Sequence, residues 1–321
     1  IQPFTLQTHS HAQSHPHAES QPYHCSILRE DLRHPFISGN KWHKLIENVQ
    51  HAKQLGLSSL GSFGGFFSNH LHALAYLGHY LEIPTIGVIR GQGHQTLTPT
   101  LIDAKAWGMQ LIFSSKAEFS QIAFHHQLHK EYAQTYWIPS GGYNMQGLKG
   151  CAQWAHEIIQ TEHVFHYWLL PVGTGCTAFG LWLGLYQLWQ QGVTHLPRLV
   201  GIKVLKGPDT FAAEIEQLIQ KERIHPDYIK QYRLSILAGY DCGGFGKSPE
   251  VVLQCMERYA DQFQLDKTYT AKTMLALEKL STQEYFSPNA RILLIHTGGL
   301  QGNRPMNHDY DYIYPTKISH S

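Results

Sequence analysis

The stretch Tyr167-Trp168-Leu169-Leu170-Pro171-Val172-Gly173-Thr174-Gly175-Cys176-Thr177-Ala178 decides how the fold is read. Six uncharged, largely apolar residues predict a strand covered on both faces over 167–172. Two glycines then turn the chain, and the pattern from Ala178 to Trp189 predicts a helix. The charge-free run continues to His195, long enough to raise a membrane span. Pro171, Gly173, Gly175, Gly180 and Gly184 divide it instead into strand, turn and helix, the unit of an α/β fold.

The unit repeats in both directions. Downstream, strands are predicted at 198–205, 234–238 and 291–296, with helices at 210–219, 249–263 and 271–280. Upstream, Trp42, Leu45, Ile46, Val49 and Ala52 recur at helical spacing, and Gly56 supplies a stop. Strands follow at 59–63, 85–89 and 110–113, and helices at 71–76, 101–107, 121–132 and 148–159. Alternation of this kind predicts an α/β fold with mainly parallel sheets flanked by helices. Ligands in such folds sit at the C-terminal ends of strands, where the glycine turns lie.

Composition excludes several function classes. Hydrophobic residues at 42% support a large core and rule out disorder of the whole chain. Lys plus Arg (25) nearly cancels Asp plus Glu (24), so no basic footprint for nucleic acid exists. Up to about Tyr23 the chain is polar and His-rich, and residues 1–26 are expected to form a tail with little ordered core. Histidine is abundant (23 residues), with one cluster at His9, His11, His15 and His17. The rest are scattered, so compositional bias is favoured over a metal site. Five cysteines without CxxC spacing, and no signal peptide, point to a reducing cytoplasm.

Four glycine-bearing segments carry candidate chemistry. Gly173-Thr174-Gly175-Cys176-Thr177 follows a strand and opens a helix, so its amides and hydroxyls predict a phosphate site. A dinucleotide fingerprint there lacks its acid about 20 residues on, and the next acid is Asp209. Asp241-Cys242-Gly243-Gly244-Phe245-Gly246-Lys247-Ser248 resembles a P-loop but begins with a carboxylate that repels phosphate. Ser68-Asn69-His70 opens another helix, where Ser68 is either an N-cap or part of a carboxylate clamp. Lys41 follows Gly39-Asn40 at a helix start; it is either a solvated lysine or a Schiff-base former for a pyridoxal ring. His296-Thr297-Gly298-Gly299 ends the final strand.

Together with Arg29-Glu30-Asp31-Leu32 and Gly39-Asn40-Lys41-Trp42-His43-Lys44-Leu45, these segments make the chain similar to one family over about 28–302. It resembles the 1-aminocyclopropane-1-carboxylate (ACC) deaminase and D-cysteine desulfhydrase family. These are pyridoxal-5′-phosphate enzymes of the tryptophan-synthase-β fold type II. The resemblance implies a larger cofactor domain (27–44 and 143–321), a smaller inserted α/β domain (45–142) and a homodimer. It implies that Lys41 holds the cofactor and that Asn69 meets its 3′-oxygen. Gly173, Thr174, Gly175, Cys176 and Thr177 would cup its phosphate, and Ser68, Asn69 and His70 would clamp the substrate carboxylate. Tyr269 and Ser68 would move protons.

Three departures bear on substrate. ACC deaminases carry an acid directly after the active-site tyrosine, where this chain has Thr270. They carry leucine in the last strand-end motif, where this chain has Thr297. Either threonine is a candidate to face the ring nitrogen, and both resemble the D-cysteine desulfhydrase side. A second family tyrosine is replaced by Phe245, at a substrate-binding position. The resemblance therefore implies a lyase that acts on a small amino acid, D-cysteine first. ACC deamination, a related D-amino-acid lyase or deaminase, and a cofactor-binding protein without robust turnover are the alternatives.

Overall fold

The computed structural model describes residues 1–7, 23–92, 96–161 and 163–305. Its strands are β1 (Gln2–Pro3), β2 (His24–Arg29), β3 (Ser59–Gly64), β4 (Thr85–Arg90), β5 (Gln110–Ser114), β6 (Thr135–Ile138), β7 (Tyr167–Val172), β8 (Arg198–Lys203), β9 (Ser235–Leu237) and β10 (Arg291–His296). Its helices are α1 (Asn40–Gln54), α2 (Asn69–Leu81), α3 (Pro99–Ala106), α4 (Lys116–Phe119), α5 (Ile122–Glu131), α6 (Met145–Ile159), α7 (Cys176–Gln190), α8 (Phe211–Glu222), α9 (Pro226–Tyr232), α10 (Glu250–Tyr259) and α11 (Thr270–Thr282).

All six residues of β7 are buried, and the strand lies inside a six-stranded sheet of order β1-β2-β10-β7-β8-β9. Side chains alternate across it. Trp168, Leu170 and Val172 join one core with Leu293 and Ile295 of β10, under α6 and α7. Tyr167 and Leu169 join the opposite core with Ile292 and Leu294, under α10 and α11. A sheet covered on both faces needs apolar residues at every position, which is why β7 reads as an unbroken run. The second sheet, β5-β4-β3-β6, is parallel throughout. Leu60 and Ile89 face α1, α2 and α3, while Phe63 and Val88 face Leu128 of α5. Among the described residues, no helix is long and apolar enough to cross a membrane.

The expected tail differs at both ends. Gln2–Pro3 pairs antiparallel with β2, and Phe4 sets its ring edge-on to Tyr259 (6.2 Å) and Phe263 (5.3 Å). β2 starts at His24, inside the segment read as tail. Ile1, Phe4 and Leu6 are too sparse to announce a strand, yet one aromatic anchor suffices once a sheet edge is present. The cluster His9, His11, His15 and His17 lies outside the described residues. β6, an edge strand of four residues, and α9, a short helix with Pro226 at its start, also escape periodicity.

The fold makes a graded prediction. Leu170→Ala, fully buried in the central strand, should lower the unfolding free energy by about 2–5 kcal/mol. Phe4→Ala, half-buried on the edge, should cost less than half as much in the same urea titration. Equal losses would contradict this division between core and edge.

Candidate active site

A crevice of about 200 Å³ opens where the C-terminal ends of both sheets meet. Its walls come from Gly64 at the end of β3 and Gly65 after it, Gly173 after β7, Leu205 after β8, and Thr297 and Gly298 after β10, together with the first turns of α1, α2 and α7. A roomier groove, about 410 Å³, runs over α1, α6 and α7. It is lined mainly by glutamines and exposed side chains and contains no glycine turn, so the chemistry is assigned to the crevice.

Close backbone contact assembles it. Gly39 has φ +66°, and a Cβ there would lie 1.9 Å from the Thr297 carbonyl oxygen. Gly298 has φ +76°, and a Cβ there would lie 2.4 Å from Ser38 Oγ. Only glycine permits this approach. The Asn40 amide donates to that Thr297 carbonyl (3.3 Å), so the residue before Lys41 is tied to the final strand.

Lys41 stands on the first turn of α1 and donates to Asn40 Oδ1 (2.6 Å). The Asn40 amide nitrogen donates in turn to Thr177 Oγ1 (2.7 Å), which connects the lysine to the glycine turn before α7. Burial, assisted by the charge of Lys44, pushes the Lys41 pKa down to about 7. The amine is therefore substantially neutral at physiological pH, the form that attacks a carbonyl.

Ser68 caps α2, accepting from Leu71 N–H at 3.2 Å. Asn69 Oδ1 accepts from Gln301 Nε2 (2.8 Å), which holds its amide at the crevice. His70 is buried and, among the described residues, neither ring nitrogen has a hydrogen-bond partner. Burial, then the charges of Lys41 and Lys44, holds its pKa well below the usual range, so the ring is neutral. Tyr269 lines the opposite wall, and burial, then the nearby Asp266 carboxylate, raises its pKa. Phe245 is exposed at the mouth.

Lys41, Ser68, Asn69, His70, Gly173, Thr174, Gly175, Thr177, Phe245, Tyr269 and Thr297 all line the crevice. Two expected residues do not. Cys176, the first residue of α7, turns its thiol to the Gly142 carbonyl (3.2 Å). Thr270 directs its hydroxyl to Asp266 Oδ1 (2.8 Å), in a cap where that carboxylate also accepts from the amides of Thr268, Tyr269 and Thr270. Of the two threonines, Thr297 is the one at the crevice.

Sequence reasoning passed over Lys44, Arg90, Ser140 and Gly141, which also line it. Lys44 lies one helical turn after Lys41, a spacing that places both on one face of α1, and donates to the Gly141 carbonyl (3.1 Å). Arg90 ends β4, a strand-end position of the kind that carries ligands.

Among the described residues, no Asp or Glu lines the crevice, while Lys41, Lys44 and Arg90 do. With the α7 N-terminus and the Gly173–Thr177 turn, this donor set suits a phosphate. The neutral amine of Lys41 suits the aldehyde of pyridoxal, and the unpartnered His70 ring leaves buried polar capacity for a polar ligand. The residues present fit pyridoxal 5′-phosphate.

Comparisons with known proteins agree. The model of the pyridoxal-phosphate dependent enzyme family matches residues 23–298. The chain is similar to a putative 1-aminocyclopropane-1-carboxylate deaminase of Thermotoga maritima, 25% identical over 286 residues, 86% of this chain and 88% of the relative. It is equally similar to a D-cysteine desulfhydrase of Serratia proteamaculans, 25% identical over 291 residues, 85% of this chain and 86% of the relative. A solved ACC deaminase homologue superposes with a TM-score of 0.74 at 26% identity, over 88% of this chain and 86% of that one.

The environment of Lys41 makes a prediction. In cofactor-free protein, acylation of Lys41 followed by peptide mass spectrometry should rise with pH through a midpoint near 7. An ordinary solvent-exposed lysine rises only toward about 10.4. A Lys41 midpoint near the ordinary lysine value would remove the free amine from the argument.

Proposed function

Because the chain belongs to the pyridoxal-phosphate dependent enzyme family, we propose that it is a lyase acting on D-cysteine. With one water taken up, D-cysteine gives sulfide, ammonia and pyruvate. The cofactor, when bound, draws electrons from the substrate α-carbon. Lys41 would hold it, with Gly173, Thr174, Gly175 and Thr177 at its phosphate and Asn69 at its ring oxygen. The neutral Lys41 amine also suits it as the base for the α-proton.

The remaining roles follow from the crevice. The amides at the start of α2, from Ser68 to His70, suit the substrate carboxylate, which the positive end of the helix favours. Tyr269 is protonated at neutral pH, as any tyrosine is, and its raised pKa keeps it so; it would donate to the departing sulfur rather than accept. Ser68 is the second hydroxyl on hand. Phe245 offers no proton, and its apolar ring sheds water at the mouth.

One observation carries desulfhydration over ACC deamination: among the described residues no carboxylate lines the crevice, and the threonine that reaches it, Thr297, brings a neutral hydroxyl. No residue there can keep a proton on the pyridine nitrogen, so the electron sink is weak. Expulsion of thiolate needs less carbanion stabilisation than opening a cyclopropane. Relatives of both names match the chain at 25% identity, so this chemistry is what supports the choice. The five free cysteines support a cytoplasmic setting, and the family resemblance supports a homodimer.

Sulfide and pyruvate release by the cofactor-loaded protein tests the proposal, with L-cysteine and ACC in parallel. D-cysteine should be favoured by about tenfold or more in kcat/KM. Release of 2-oxobutanoate from ACC without sulfide from D-cysteine would transfer the assignment to deamination.

A further inference from the structure

Lys272 has no exposed surface. Its ammonium forms no ion pair with a described residue and donates to three main-chain carbonyls: Asp241 (2.7 Å), Gly244 (2.8 Å) and Val204 (3.3 Å). A buried ammonium is costly unless its donors are all engaged, and here the number of carbonyls matches the number of N–H groups. The charged or titratable side chains that bear on it are Cys242, Asp241 and Asp266.

The three carbonyls belong to the segments that build one wall of the crevice. Val204 precedes Leu205, Gly244 precedes Phe245, and Lys272 itself lies one helical turn after Tyr269 on α11. Leu205, Phe245 and Tyr269 all line the crevice. In the loop between β9 and α10, Cys242, Gly243, Gly244 and Gly246 all have positive φ, and Phe245 is exposed. Its Tyr240 and Cys242 side chains pack on the apolar core shared with β8, and the ammonium adds the hydrogen bonds that join loop, strand end and helix at one point.

We infer that Lys272 is a positioning residue that does the work of a bound monovalent cation, gathering three carbonyls so that Leu205, Phe245 and Tyr269 form one fixed wall on the substrate side. The inference rests on the crevice being the substrate site, and it assigns no new contact with substrate. Removing the side chain leaves a carbonyl-lined void of the kind that suits potassium, an ion held by carbonyl oxygens.

The test uses cofactor-loaded Lys272→Ala in choline chloride and in potassium chloride of equal ionic strength. Amide exchange over residues 241–247 should rise about tenfold or more in choline, with residues 173–177 unchanged, and should fall back toward wild type in potassium. KM for D-cysteine should rise about tenfold with kcat altered less than about threefold, and potassium should reverse it. Wild-type exchange and KM in the variant would overturn the inference. So would exchange raised throughout the protein and indifferent to potassium, which marks an ordinary core residue. Should Lys272→Ala fail to fold, Lys272→Met keeps the volume without the charge, and local against global or unchanged exchange decides in the same way. If wild type leaves D-cysteine intact, the function reading falls while the exchange arm still decides the role of Lys272.

Discussion

Main chain meets main chain where Gly39 and Gly298 pass each other, and every part of the site depends on that contact. The two segments come from opposite ends of the sequence. No side chain fits between them, so the start of α1 is pressed against the end of β10. Lys41 and Thr297 then face one crevice, and Asn40 reaches Thr177 to bring in the glycine turn before α7. A methyl group at Gly39 would force these elements apart and misplace the lysine, the hydroxyl and the phosphate turn together.

The electrostatics follow from that geometry. Three basic side chains and a helix N-terminus converge with no lining carboxylate among the described residues, so the crevice stores positive potential that an anion relieves. Part of the tension is released by proton loss: Lys41 is pushed down to about 7 and His70 stays neutral. Burial lowers the pKa of Lys41 and raises that of Tyr269, so the crevice holds a largely neutral amine beside a protonated phenol.

Much of this was legible in the chain, for physical reasons. A strand covered on both faces has no polar position, so Tyr167–Val172 and its glycine turn announce themselves, as does Arg291–His296. Motif order pointed to Lys41, Ser68, Asn69, Tyr269 and Thr297, all of which reach the crevice. Thr270 was harder, because a threonine beside a catalytic-looking tyrosine reads the same whether it faces ligand or caps a helix; Asp266, four residues earlier, takes its hydroxyl. Lys44 and Arg90 carry no motif, and their place depends on which strand ends meet. Phe4 depends on the edge of β2 and on the ring of Phe263, which lies far off in the sequence.

That edge has a consequence for the protein in a crowded cell. An open strand flank is a template on which other chains can pair. Here the flank of β2 is taken by Gln2–Pro3, and the far flank, β9, is three residues long. The larger sheet thus carries its own terminator at one end and almost no length at the other. Loss of the Gln2–Pro3 pairing would leave the chemistry of the crevice intact while uncovering the β2 edge at Ser26 and Ile27, and the first sign of damage would be self-association rather than a slower enzyme.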